Sequence, residues 1–500
     1  MQEPSHTQSS PRSGHVARVL DRARRPNREH MQALKRRVPF WFVVALLSGF
    51  AALQIVLNPF GFSDLTQRYT QDISNLLISG PYLYPDSGRQ QISVALVEDE
   101  THSNLQMPWP WPYGVQARAL DAILALKPRA VVVDVMFVDP RKDDTLPELV
   151  DEIGRYKRAG VPLYLTGATD AAPGSPTVRK ELAATGVRIL DPTLLVNQGI
   201  VRQYPASGQC FGAKVQDQSC LSLALQVYKD LYPQTPLAPI RGLMEIVWGT
   251  RTNPINSKWM RVTDDSGASH ACGENLDISW SRRIYLAFFD PGSVRSACPY
   301  TGVIPAQALL DGREDPDITA LAHNRVVFYG ASLSGVQDKS YTPVNGLIAS
   351  VFVHAMALDN LISFHGRPEQ NVVSIGNVTL DNNTAQMIAI VPIILILAWM
   401  HMRRLRSRRI RPERGAMLEY LLDKAFQSAW HWLAFALALA IGLALTLTAG
   451  LSVANWVEVV FVSVELAAML LIGLPDALWG YLHHVAGGIP QFPTAQEEGG

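Results

Sequence analysis

Apolar residues are distributed along this chain in two different ways. Near its ends they form long runs, at 40–57, 385–400, 430–449 and 452–474, and only Ser48 and Gln54 interrupt the first. These runs approach or exceed the roughly 18 residues that a helix needs to cross a bilayer. In the middle the runs are short. Stretches at 92–97, 130–133, 161–166, 187–190 and 325–330 read as strands, and those at 114–127, 147–159, 220–231, 305–310 and 351–363 as helices. We also expect a connecting helix over 60–78, loops with short strands over 233–281, and an alternating strand over 283–289. Strands that alternate with helices predict an α/β domain with a mainly parallel sheet, because parallel strands need long crossovers.

Charge orients this pattern. Formal net charge is zero, which argues against nucleic acid as a partner, but Arg is clustered. It crowds the segment 1–38 and recurs at Arg403, Arg404, Arg406, Arg408, Arg409, Arg411 and Arg414. Basic loops stay on the inner side of a membrane. The expected order is a basic cytoplasmic segment 1–38, a first span 39–58, an extracytoplasmic domain 59–383, and a second span 384–402. An Arg-rich cytoplasmic loop 403–427, spans 428–449 and 452–474, and a cytoplasmic tail 475–500 complete it. The expected fold is therefore an extracytoplasmic α/β domain plus four transmembrane helices, one N-terminal and three C-terminal, with the lipid bilayer as a partner. No small-x-small cleavage site follows the first run, so it reads as an uncleaved anchor.

All four cysteines, Cys210, Cys220, Cys272 and Cys298, lie in the middle region and none forms a C-x-x-C pair, so no zinc or other metal site is expected. An oxidising compartment suits disulfides, and short loops favour Cys210–Cys220 with Cys272–Cys298.

Acidic residues follow the strands: Glu98, Asp99 and Glu100, then Asp134, then Asp338. Ligands of open parallel sheets bind outside the carboxyl ends of the strands, so these acids are candidates for a cation or an amine-bearing ligand. The structural alternative is that they cap helices or pair with Arg118, Arg129 or Arg325. Trp109 and Trp111, in a Trp-Pro-Trp-Pro turn, are candidates for a ligand wall or a packing wedge. His354, on a helix, is a ligand candidate or a satisfied core histidine. Glu458 and Glu465 lie seven residues apart in the last apolar run and share a helix face. A charge at that depth is expensive unless paired, so they are candidates for a proton-linked or partner-binding role. Ala434, Ala438 and Gly442 form a small-residue face suited to a tight bundle or a homodimer. Gly330-Ala331-Ser332 resembles a nucleophile elbow, but Ser334 stands where the motif requires Gly, and a hydrolase is disfavoured. No phosphate loop or dinucleotide fingerprint occurs; no cofactor and no enzymatic activity are expected.

Two stretches carry a family resemblance. One is the acidic strand end, the Trp-Pro turn, the helix with Arg118, Leu120 and Leu124, and Val132-Val133-Asp134-Val135-Met136-Phe137. The other is Arg325 to Ser332, Asp338, Thr342-Pro343, Val353-His354-Ala355 and Asp359-Asn360-Leu361. In that order they resemble the opening and closing motifs of a CHASE2 domain, with Ala349-Ser350 where family members often have Pro-Gly. The resemblance implies an extracytoplasmic sensory domain in a bacterial inner membrane, one helix before it and three after. It implies an unknown extracytoplasmic ligand. Output domains commonly follow in this family. Only 475–500 follows here, so a cytoplasmic output protein acting in trans is expected. The alternative is a non-signalling docking subunit of an envelope complex.

Overall fold

The computed structural model describes residues 39–53, 71–407 and 453–482, with gaps at 74, 108, 139–142, 169–176, 198, 212–219, 241, 264–268, 273–278, 297, 313, 337, 369–371, 376–377, 472–473, 476 and 480–481, and two further positions at 436 and 440. The basic segment 1–38, most of the Arg-rich loop, the expected span 428–449 and the end of the tail lie outside the described residues.

The chain divides into two units, one built on 64–385 and one on the apolar runs at its two ends. In chain order the elements used below are α1 (Phe40–Ala52), β1 (Ile92–Glu98), α2 (Asp99–Leu105), α3 (Tyr113–Ala125), β2 (Ala130–Val133), α4 (Leu146–Ala159), β3 (Leu163–Thr166), β4 (Arg188–Leu190), β5 (Leu195–Asn197) and β6 (Ile200–Pro205). They continue with α5 (Leu223–Leu231), β7 (Leu243–Glu245), α6 (Trp280–Phe289), β8 (Gly302–Pro305), β9 (Val326–Ser332), β10 (Lys339–Thr342), β11 (Gly346–Ala349), α7 (Ser350–Ser363), α8 (Asn382–Ser407) and α9 (Val453–Leu471).

The larger unit is built on a six-stranded sheet in the order β8-β1-β9-β2-β3-β4, parallel throughout. Its strands are apolar on both faces, as a sheet covered on both sides requires. Ala95, Val97, Val131, Val133, Val327 and Tyr329 pack under α3 and α4. The intervening residues, Val94, Leu96, Val132, Val326 and Phe328, pack under α5 and α7. A second sheet, β11-β10-β6-β5 with β7 on β6, lies on the α7 side and shares that core through Val201, Tyr204, Met244 and Ile348.

The sequence places the main strands and helices correctly, with one reversal. Residues 280–289 form a helix, not a strand over 283–289. The run of aromatic residues there favours a strand by propensity, but the packing is helical. Among its described side chains Ala287 alone is buried, against Ile73 and Leu77, while the rings of Tyr285 and Phe289, four residues apart, meet in a tilted contact at 4.9 Å. Strand β8 and most of the second sheet carry too short a pattern to be read in advance. Of the connecting helix expected over 60–78, residues 71–73 are helical and a π-helix runs over Asn75–Leu83.

The smaller unit is described through α1, α8 and α9. Val43, Leu47 and Ala51 of α1, Ile390, Ile394, Leu397 and Ala398 of α8, and Val459, Val462, Leu466 and Leu470 of α9 form one buried cluster at helical spacing. Outside it Trp41, Ile388, Val391, Leu395, Trp399 and Val464 are exposed. Among the described residues no helix is long and apolar enough to cross a membrane. The first expected span is described only as far as residue 53.

Candidate functional site

At the carboxyl ends of the central strands the chain parts to opposite faces. The chain leaving β1 and β2 enters α3 and α4, while that leaving β9 passes through β10 and β11 into α7 on the other face. Such a parting between neighbouring strands opens a crevice at the sheet edge. Gly330 allows α7 to come down on β9: a Cβ there would lie 2.8 Å from Cβ of Val351.

Two acidic groups form at this edge. In the first, Glu98 closes β1 opposite its register partner Ser332. Burial, with Glu100 and Asp99 beside it, pushes Glu98 up to about 7. Asp99 opens α2 and accepts bonds from the Ser334 amide at 2.8 Å and its hydroxyl at 2.7 Å. Those bonds hold its carboxyl below the usual range.

The second group is buried under α7. Asp134 directly follows β2, and its amide donates to the Tyr329 carbonyl at 2.7 Å. Burial, and then the charge of Asp338, raise its carboxyl well above the usual value. Asp338 sits at the start of α7, where the Ser350 amide donates to its carbonyl at 3.1 Å. Burial raises its carboxyl, and the Ser350 hydroxyl opposes that shift. Across from Asp134 stands His354, 1 % exposed. Its Nδ1 lies 2.7 Å from the Tyr204 hydroxyl, and that hydroxyl accepts the Ala224 amide at 3.3 Å. Which of the Tyr204 hydroxyl and Nδ1 donates is set by the imidazole tautomer. Nε2 faces Asp134 Oδ2 at 4.0 Å, too far for a hydrogen bond. Burial pushes His354 down to about 4, against the charge of Asp191.

The sheet separates the Trp-Pro turn from this site. Trp111 is fully buried with Trp109 against it at 5.5 Å, both in the core under α3 and α4. The Trp-Pro turn is thus a packing wedge on the face opposite His354. None of the acids pairs with Arg118, Arg129 or Arg325 among the described residues. Arg129 instead lies over the Tyr232 ring and donates to the Leu231 carbonyl at 2.5 Å. His354 bonds Tyr204, not Ser332. Glu465 is exposed on α9, and the side chain of Glu458 lies outside the described residues. Among the described residues no group of three or more His, Cys, Asp or Glu is placed to hold a metal ion.

A family model for the CHASE2 domain matches residues 40–398, from the first residue of α1 into α8. The chain belongs to the CHASE2 family. Comparison with curated proteins and with solved structures gives no match. CHASE2 is an extracellular sensory domain, and a sensory role fits this chain. Both disulfides within the CHASE2 domain form as short loops favour, Cys210–Cys220 and Cys272–Cys298.

The closing motif of the CHASE2 domain has a further buried role. Asp359 accepts bonds from the Tyr84 hydroxyl at 2.6 Å and the Ser363 hydroxyl at 3.0 Å. Asn360 accepts the Val247 amide at 2.9 Å and donates to the Val247 carbonyl at 3.0 Å, fixing the chain beyond β7 against α7. Sequence reading missed three residues of the His354 site. Asp191 follows β4 as Asp134 follows β2, so the same pattern marks it. Thr166, the last residue of β3, and Tyr204, on a strand of the second sheet, carry no such signal.

Proposed function

We propose that this chain is a membrane-anchored extracytoplasmic sensor that detects a ligand or envelope partner and signals to a separate cytoplasmic protein. The observation that carries the proposal is the family match, which begins and ends in apolar helices on either side of the α/β domain. Those helices support membrane insertion by their outer surfaces. A helix in water keeps a polar face, whereas α1 and α8 expose Trp41, Ile388, Val391, Leu395 and Trp399. In this reading the inner membrane holds four spans, both termini are cytoplasmic, and 59–383 lies outside. The protein is not an enzyme and needs no cofactor.

Glu465 supports a protein contact within the membrane. An acid exposed on a largely apolar helix is costly in lipid unless another helix covers it. A second copy or a partner span supplies that cover. The same contact would serve a docking subunit, so output separates the two readings. Cysteine-accessibility labelling in spheroplasts tests the topology. Single cysteines at exposed Asp151 and at Ser407 should label from outside and only from inside, respectively. The opposite pattern, or equal labelling from one side, defeats the sensor arrangement.

A further inference from the structure

Asp134 and His354 face each other across an unmade bond. Asp134 is 9 % exposed, and its Oδ2 has no hydrogen-bond partner among the described residues. Thr166 comes one step after the Val133–Leu165 register pair, beside Asp134 in the sheet. It is fully buried, and its Oγ1 also lacks a partner among the described residues. The ionisable groups around the gap come from every element packed there: Asp134 after β2, Asp191 after β4, Asp338 before β10, Tyr204 on β6 and His354 on α7. Among the described residues no Arg or Lys forms an ion pair with any of the three acids, and no metal-binding group is present. For Asp134 and Asp338, burial without a cation beside them favours the neutral, protonated form.

We propose, resting on the sensory reading above, that the input of this site is the proton: Asp134 holds one in the resting fold beside neutral His354, and its loss loosens α7 from the sheet. Ionisation breaks the Asp134 O–H bond, gives the proton to solvent and leaves the electron pair on the carboxylate. The buried charge then draws in water at the orphaned oxygens of Asp134 and Thr166. α7 carries His354, and the chain continues from it through Val372–Ile375 and Val378–Asp381 directly into α8.

Linkage fixes the pH window. Local opening of α7 returns His354 from about 4 to 6.5 and Asp134 to its ordinary 3.8. Between those values the closed state holds the Asp134 proton and the opened state the His354 proton, and the two effects cancel. Above the His354 value of 6.5 the His354 proton no longer offsets that of Asp134. Opening then rises about tenfold per pH unit until the raised Asp134 value is passed. Asp338, and Asp359 on α7 itself, add slopes of the same sign, so the test is a difference between variants.

Hydrogen exchange of α7 peptides in the full-length protein in lipid nanodiscs, corrected for intrinsic rates, is measured from about pH 5 to about pH 9. Protection should fall as pH rises above neutrality. Asp134→Asn should make that fall shallower, by at most the one-proton slope of about tenfold per pH unit. Equal slopes in the two proteins overturn the proposal. If Asp134→Asn does not assemble, His354→Gln decides: it removes the opposing proton, so the fall should extend to lower pH, and an unchanged profile overturns the proposal. Exchange reports only on the α/β domain, so the sensory reading stands or falls separately on topology and partner capture.

Discussion

At the scale of single residues, the buried polar groups do more than the acids at the surface. Tyr204 is the link between His354 and the start of α5, so Tyr204→Phe leaves Nδ1 without its hydrogen-bond partner and the Ala224 amide without its acceptor. A loss of about 1–3 kcal/mol is expected, read by urea denaturation. Asp359 sits fully buried, and burial pushes it up to about 7 against the bonds from Tyr84 and Ser363. A group whose value is raised in the fold contributes stability below its unfolded value of 3.8 and loses it as pH rises through about 7. Asp359→Asn keeps the acceptor for Tyr84 and removes the ionisation. Its melting temperature should therefore fall less than that of the wild type between about pH 4 and about pH 7; parallel curves would contradict the assignment. Much of this was legible in kind but not in partner. The strand-end acids stand out in the sequence because they break apolar runs, yet nothing local says that Asp99 is satisfied by Ser334 while Asp134 is left facing His354. Those pairings depend on chain separations of more than two hundred residues.

At the scale of elements, periodicity told strands from helices wherever an element was long and packed on a core. It failed at α6, whose described side chains bury only Ala287, and at β8, whose Gly302 to Pro305 pattern merges with the helix that follows. The close approach of α7 to β9 makes Gly330 a sharp probe. Gly330→Ala forces Val351 or the helix to move and should cost about 1–3 kcal/mol, with α7 losing exchange protection more than α4 does. An unchanged stability would mean that α7 does not rest on β9. The disulfide Cys272–Cys298 closes a loop of sequence separation 26 between the stretch after β7 and the approach to β8. Cys272→Ser together with Cys298→Ser should lower unfolding stability by about 2–4 kcal/mol, measured under oxidising conditions.

At the scale of the whole molecule, the sequence was most informative about organisation: apolar ends and an α/β middle. The family match supports that order over 40–398. What the sequence could not show is which face of each apolar helix meets its neighbours, because apolar residues lie on every side of them. The buried cluster of Val43, Leu47, Ile390, Ile394, Val459 and Leu466 defines the inner faces, and Glu465 marks an outer one. Glu465→Leu should leave the α/β domain folded and weaken a contact made in the membrane, seen as a shift to smaller species in native electrophoresis from mild detergent. No shift would mean that Glu465 is solvated by other means. The central claim is that an extracytoplasmic state reaches a cytoplasmic protein. It is tested most directly by capturing the full-length chain from solubilised membranes and identifying by mass spectrometry what accompanies it. The account predicts a cytoplasmic signalling enzyme or regulator in the captured material. Recovery of envelope-assembly proteins alone would contradict it and favour the docking subunit.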